Sequence, residues 1–162
     1  MARERLIVAD AGPIIALAAI NHLELLQGLA SDVWVPRAVF DEVQAGAPRV
    51  GAAELSAATW IKVVDAAQDL VDAFRLLVDR GEAEALALAK ANPGALLVVD
   101  DLRARHVAEG LGLRFTGTLG ILDLSKRARL LDCVRPEIER LIAVGFRIDS
   151  LLVATFLRSV GE

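Results

Sequence analysis

The sequence predicts an α/β fold, with a mainly parallel sheet held between two layers of helices. Three observations carry this expectation. Short apolar runs, bounded by turn residues, recur along the 162 residues and alternate with stretches of helical periodicity. The runs at residues 6–9 and 95–99 are apolar throughout, as strands buried on both faces must be. Alanine and leucine, both strong helix formers, fill much of the sequence between them. The length suits a single domain spanning residues 1–162, with residues 135–162 as a possible C-terminal helical extension.

Taken in order, Leu6-Ile7-Val8-Ala9 reads as a buried strand that stops at Asp10. Gly12-Pro13 breaks it, and Pro13 suits the first turn of a helix continuing through residues 14–20. Asn21 is read as the cap of a second helix over residues 22–29. Val33-Trp34-Val35 is a second strand closed by Pro36, and residues 37–44 a short helix ending at Gly46. Gly46, Pro48 and Gly51 mark a loop. Residues 52–58 are helical and residues 60–64 form a third strand. An amphipathic helix covers residues 70–78, Gly81 interrupts, and a new helix opens at Glu82 and runs to residue 91. Asn92-Pro93-Gly94 ends it before the strand at residues 95–99. A helix over residues 102–111, a short strand at 113–115 and a helix capped by Thr118 follow. Two last helices occupy residues 136–144 and 150–159, the second led by Asp149.

Composition limits the chemistry. No apolar stretch reaches the ~18 residues that span a bilayer, and the charged start at residues 1–5 leads into too short an apolar run for a signal peptide. A cytoplasmic protein with no membrane association is the expectation. One cysteine, Cys133, excludes an internal disulfide and a thiolate zinc site, and two histidines, His22 and His106, disfavour a histidine-rich one. A metal here has to be held by carboxylates, which favours Mg²⁺ or Mn²⁺ over Zn²⁺. The net charge is −4, yet residues 102–135 hold seven basic residues against three acids. Arg103, Arg105, Lys126 and Arg127 in this segment are candidate phosphate contacts; a solvated helix face explains the same charges equally well.

The acids fall in a pattern. Ligands of open α/β sheets bind beyond the carboxyl ends of the strands. Two buried strands end in acid, one at Asp10 and one at Asp100, and a parallel sheet puts both on the same edge. Glu82 opens the helix that feeds the Asp100 strand, so it starts at that edge too. Glu42 lies on the helix leaving the second strand. Converging carboxylates raise one another's pKa and destabilise the fold unless a cation neutralises them. A hard divalent ion does so, and it lowers the pKa of a bound water that attacks a phosphodiester. Taken singly, Glu82 reads more readily as a helix N-terminal charge, Glu42 as a solvated helix residue, and Asp101 as the cap of the next helix rather than a metal ligand.

These residues resemble a known family. The run LIVADAGPIIALAAI resembles the opening of PIN domains, VPRAVFDEV their second acidic motif, and GEAEALALAKANPGALLVVDD their third and fourth acids. GTLGIL and the ending GFRIDSLLVATFLRSVGE resemble an uncharacterised prokaryotic branch related to VapC toxins. The resemblance implies a PIN-like α/β/α sandwich and Mg²⁺- or Mn²⁺-dependent RNA cleavage. It also implies frequent homodimers and often a protein antitoxin. By it, Asp10, Glu42, Glu82 and Asp100 are the catalytic metal ligands or their close support, Glu82 or Asp100 orients the attacking water, and Thr118 assists. One departure stands out: the hydroxyl residue common after the first Asp is replaced by Ala11-Gly12.

Rival folds fit less well. A receiver domain needs its acidic pair at the first strand, whereas here the pair is Asp100-Asp101. A haloacid-dehalogenase-type phosphatase needs Asp-x-Asp where Gly12 stands, and no glycine-rich phosphate loop follows strand one. The functional alternative is a PIN scaffold that binds RNA or regulates without cutting.

Overall fold

The computed structural model describes residues 2–162; the first residue of the charged N-terminal stretch lies outside them. Strand β1 (Glu4–Ala9) leads into α1 (Ala11–Ala19) and α2 (Leu25–Leu29), and β2 (Ala30–Pro36) into α3 (Arg37–Ala45) and α4 (Ala52–Ala57). After β3 (Ile61–Val64) come α5 (Gln68–Phe74) and α6 (Arg80–Ala91). Then β4 (Leu96–Val98), α7 (Leu102–Gly110), β5 (Arg114–Thr116) and α8 (Thr118–Arg127) follow, with α9 (Arg135–Ala143) and α10 (Ser150–Ser159) last.

The five strands form one sheet in the order β3-β2-β1-β4-β5, and every pairing is parallel. The chain builds outward from β1 through β2 to β3, then returns to lay β4 on the other side of β1. The junction of β1 and β4 is thus the topological switch point, where open α/β sheets place their ligands. Alternation along β1 sorts the core in two. Ile7 and Ala9 face a cluster with residues of α1, α2, α3, α8 and α9, while Leu6 and Val8 face one with residues of α5, α6 and α7. Both faces of the sheet are covered, so its central strands are apolar on both sides over Leu6-Ile7-Val8-Ala9 and Leu96-Leu97-Val98. Helices α9 and α10 join the first cluster through Ile138, Leu141 and Leu157.

Four local readings change. Thr118 is the first residue of α8 rather than its cap, the cap position being Gly117. Asn21 does not open a helix. It takes a left-handed conformation (φ 57°) and ends α1 in a Schellman turn, with His22 N–H donating to Leu17 O at 2.8 Å and Asn21 N–H to Ala18 O at 3.1 Å. The next helix therefore starts only at Leu25. The helix expected over residues 70–78 is shifted to 68–74, and Leu76 and Leu77 sit in a turn, 86% and 52% exposed. Asp79, with an extended backbone, sets where the next helix begins by capping α6. Helix α6 accordingly begins at Arg80, not Glu82: Asp79-Arg80-Gly81-Glu82 is a capping box.

Candidate active site

Asp10 stands at the switch point. Its N–H donates to Val98 O at 3.0 Å, carrying the β1–β4 ladder one residue past the strand, and its carbonyl accepts from Ile14 at the start of α1. The side chain is buried (7% exposed). Burial is the main force pushing its carboxyl up, to about 7; the Ala11 N–H pulls the other way, and the charges of Glu82, Asp79 and Glu42 push further up. An acid this poorly solvated among like charges is an electrostatic fault in the metal-free protein.

Glu42, on α3, is also shifted up, by burial and then by Asp79. Glu82 is shifted up by burial, against a hydrogen bond from the Asp79 N–H, with repulsion from Asp79, Asp101 and Glu42 added. Gly81 marks where these groups meet: a methyl group built there would lie 3.2 Å from Glu42 Oε2 and 3.7 Å from Asp10 Oδ1. The space between the carboxylates exists because this position has no side chain.

Asp100 lies on the same edge, one strand over, and is held differently. Its Oδ1 accepts from Thr118 N–H at 2.7 Å and its Oδ2 from Thr118 Oγ1 at 2.6 Å. A methyl group at Gly117 would lie 2.6 Å from Asp100 Oδ1, and one at Gly12 would lie 3.8 Å from Oδ2. Thus Thr118, expected to assist, grips one candidate ligand with both its donors. Asp101 caps α7, its Oδ1 accepting from Ala104 N–H at 2.9 Å.

Asp10, Glu42 and Glu82 are therefore repelling neighbours, together with Asp79, while Asp100 lies on the same sheet edge, held by Thr118. As oriented, no three acid, histidine or cysteine side chains among the described residues close on one point to hold a metal ion. The reason is visible: Glu82 Oε2 accepts from Asp79 N–H at 3.1 Å in the capping box, and Asp100 is turned toward Thr118. The donor set is all oxygen, and a gap that a single methyl would fill separates two of its members, so the residues fit a hard divalent ion.

Two acids escaped the sequence reading. Asp79 adds charge to the cluster, and its signal was the D-x-x-E spacing of a capping box. Glu84 is buried at 6% exposure; its Oε1 accepts from Ala38 N–H at 3.3 Å, tying α6 to the first turn of the helix that carries Glu42. A glutamate inside a helix gives no hint of such burial.

The basic residues divide. Lys126 is bound to Glu162 Oε1 at 2.7 Å and Val160 O at 2.8 Å, and Arg127 pairs with Asp123 at 3.0 Å. Arg114 forms a two-pronged pair with Glu4 at 2.8 and 2.9 Å. Among the described residues neither Arg103 nor Arg105 forms an ion pair. They flank the acidic edge: Arg105 lines a cleft with Asp100 and Thr118, and Arg103 lines another with Glu82 and Asp101.

A family model described as a PIN domain matches residues 6–162. The chain belongs to the PIN-domain family. That match takes in α9 and α10, so the C-terminal helices lie within the family's pattern. The wholly parallel five-stranded sheet with helices on both faces agrees with the PIN-like sandwich expected from sequence. No curated protein matches the chain. PIN domains are generally nucleases that use divalent metal ions. No helix among the described residues is long and apolar enough to cross a membrane.

Proposed function

We propose that this PIN domain is a metal-dependent ribonuclease that hydrolyses RNA phosphodiester bonds with Mg²⁺ or Mn²⁺. One observation carries the reading: Asp10, buried at the switch point with its carboxyl pushed up to about 7, faces further acids across a gap kept open by Gly81. A divalent ion relieves that repulsion. Asp10, Glu42, Glu82 and Asp100 would hold it, with Glu82 first leaving Asp79. Bound there, the ion supplies charge neutralisation on the phosphate and an acidified water. The chain's own residues do the rest. Thr118 fixes Asp100 in one orientation, Glu82 or Asp100 accepts the hydrogen bond that aims the water, and Arg103 and Arg105 receive the flanking phosphates.

The same proposal includes partners. A toxin restrained by a separately encoded protein antitoxin, working as a homodimer in the cytoplasm, is consistent with Leu76, Leu77 and Leu102. These side chains are 86%, 52% and 69% exposed and line the cleft that holds Glu82.

A second reading has an observation of its own. Glu82 and Asp100 are engaged by Asp79 and Thr118, and Ala11 replaces a hydroxyl, as expected of a PIN scaffold that binds RNA without cutting. RNA cleavage with Mn²⁺ by wild type and Asp10→Asn separates the two. Cleavage by wild type alone is expected; identical behaviour at every metal concentration would overturn the nuclease reading.

A further inference from the structure

We infer that the cleft between the start of α8 and the α9–α10 connection is a nucleotide subsite that takes one unpaired residue of single-stranded RNA. The inference rests on the nuclease reading for its substrate class. The cleft has a volume of about 560 Å³, within the ~300–1,000 Å³ range of small-ligand sites. Asp100 and Thr118 are among its lining residues, so the cleft adjoins the acidic edge.

Its walls have two characters. Phe146, Ile148, Leu152 and Phe156 supply an apolar side, and Leu152 is 52% exposed, so that side is open to a ligand. Arg105 and Arg147 supply the charged side, and among the described residues neither forms an ion pair. Arg105 is steadied over the Phe115 ring, 5.4 Å from its centre. Two acids also line the walls: Asp149 caps α10, its Oδ1 accepting from Leu152 N–H at 2.9 Å, and Asp100 faces Thr118. The groups that suit a phosphate and base are the two guanidinium groups, neither in an ion pair among the described residues, beside an aromatic and aliphatic surface. That pairing suits a phosphate with its base splayed out: the phosphate on the arginines, the base against Phe146 and Phe156. A base still paired in a duplex has no way into such a recess.

The test is fluorescence anisotropy in EDTA with an end-labelled mixed-sequence single-stranded RNA of about 12 nucleotides and the matching duplex, site sizes of this order being usual for single-strand binders. Wild type should bind the single strand about tenfold more tightly than the duplex. Arg147→Ala should weaken single-strand binding and lower the salt slope by about one. Leu152→Ser, an exposed change that leaves the fold intact, should weaken binding several-fold without altering that slope. With Mn²⁺, both variants should raise KM and leave kcat unchanged.

Equal affinity for strand and duplex, or unaltered binding by both variants, overturns the subsite. So does a change of molecular mass on size exclusion with RNA binding intact, which would give the cleft to a protein partner. The two readings fail separately. Arginine-dependent binding without wild-type cleavage removes the nuclease reading and keeps the subsite; cleavage with unaltered binding in the variants does the reverse.

Discussion

Replacing Asp10 by asparagine should make the metal-free protein more stable above pH 7. The carboxyl's ordinary value is 3.8 and the fold pushes it to about 7. Below about pH 4 the proton is bound in both the folded and unfolded chains, so Asp10 has no pH-dependent effect. Between those values the folded chain keeps its proton while the unfolded chain gives it up, and stability falls as pH rises. Above about 7 the folded chain must carry the buried charge and the penalty is complete. At ~1.4 kcal/mol for each tenfold in proton affinity, the gap is about 4 kcal/mol. For a chain of this length ~1 kcal/mol moves the melting temperature by ~2–4 °C, so the change is on the order of 8–16 °C. Thermal melts in EDTA from pH 4 to 8.5, read by circular dichroism, should show wild type falling relative to Asp10→Asn and the gap opening between pH 4 and 7. Saturating Mn²⁺ at pH 8 should raise wild type, by ~2.7 kcal/mol at a hundred times Kd, and leave the variant nearly unmoved. A variant that melts below wild type at pH 8 in EDTA would refute the claim that Asp10 is a strained anion.

Thr118→Val keeps the side chain's shape but removes the hydroxyl that donates to Asp100 Oδ2 at 2.6 Å. A loss of about 1–2 kcal/mol in urea melts is expected, with slower Mn²⁺-dependent cleavage as Asp100 loses its fixed orientation; unchanged stability and rate would show the hydroxyl to be idle. Glu84→Ala leaves Ala38 N–H without its acceptor and should cost about 1–3 kcal/mol. The same variant should blunt the stabilisation by Mn²⁺, because the helix bearing Glu42 loosens; Glu84→Gln, which can still accept that bond, should recover most of both losses.

The layered fold was legible because its strands are buried on both sides. Leu96-Leu97-Val98 and Leu6-Ile7-Val8-Ala9 have no polar alternation, and few architectures use such strands. The positions of Asp10 and Asp100 followed, since a parallel ladder sends both strand ends to one edge. Helix boundaries were harder. Asn21 is favourable both as a cap and as a left-handed terminator, and only the hydrogen bonds of His22 and Asn21 back to α1 decide between them. Glu82 was placed at the right edge for an incomplete reason, because the cap partner Asp79 was overlooked. Glu84 pairs locally with Arg80 at 3.3 Å, as a surface helix glutamate would, and its distant partner, Ala38 N–H, is 46 residues away. Side-chain engagement was out of reach as well: nothing in the local sequence around Lys126 announces that Glu162 will occupy it.

The glycines at 81 and 117 put the acidic edge under an unusual kind of control. Activity in such a pocket is lost by adding carbon as readily as by deleting oxygen, and one alanine at position 117 would crowd an aspartate that mutation had left alone. A descendant of this chain could therefore fall silent with its whole complement of acids preserved. Among its kin, an intact set of carboxylates is a poor certificate of catalysis unless the small residues facing them are intact too.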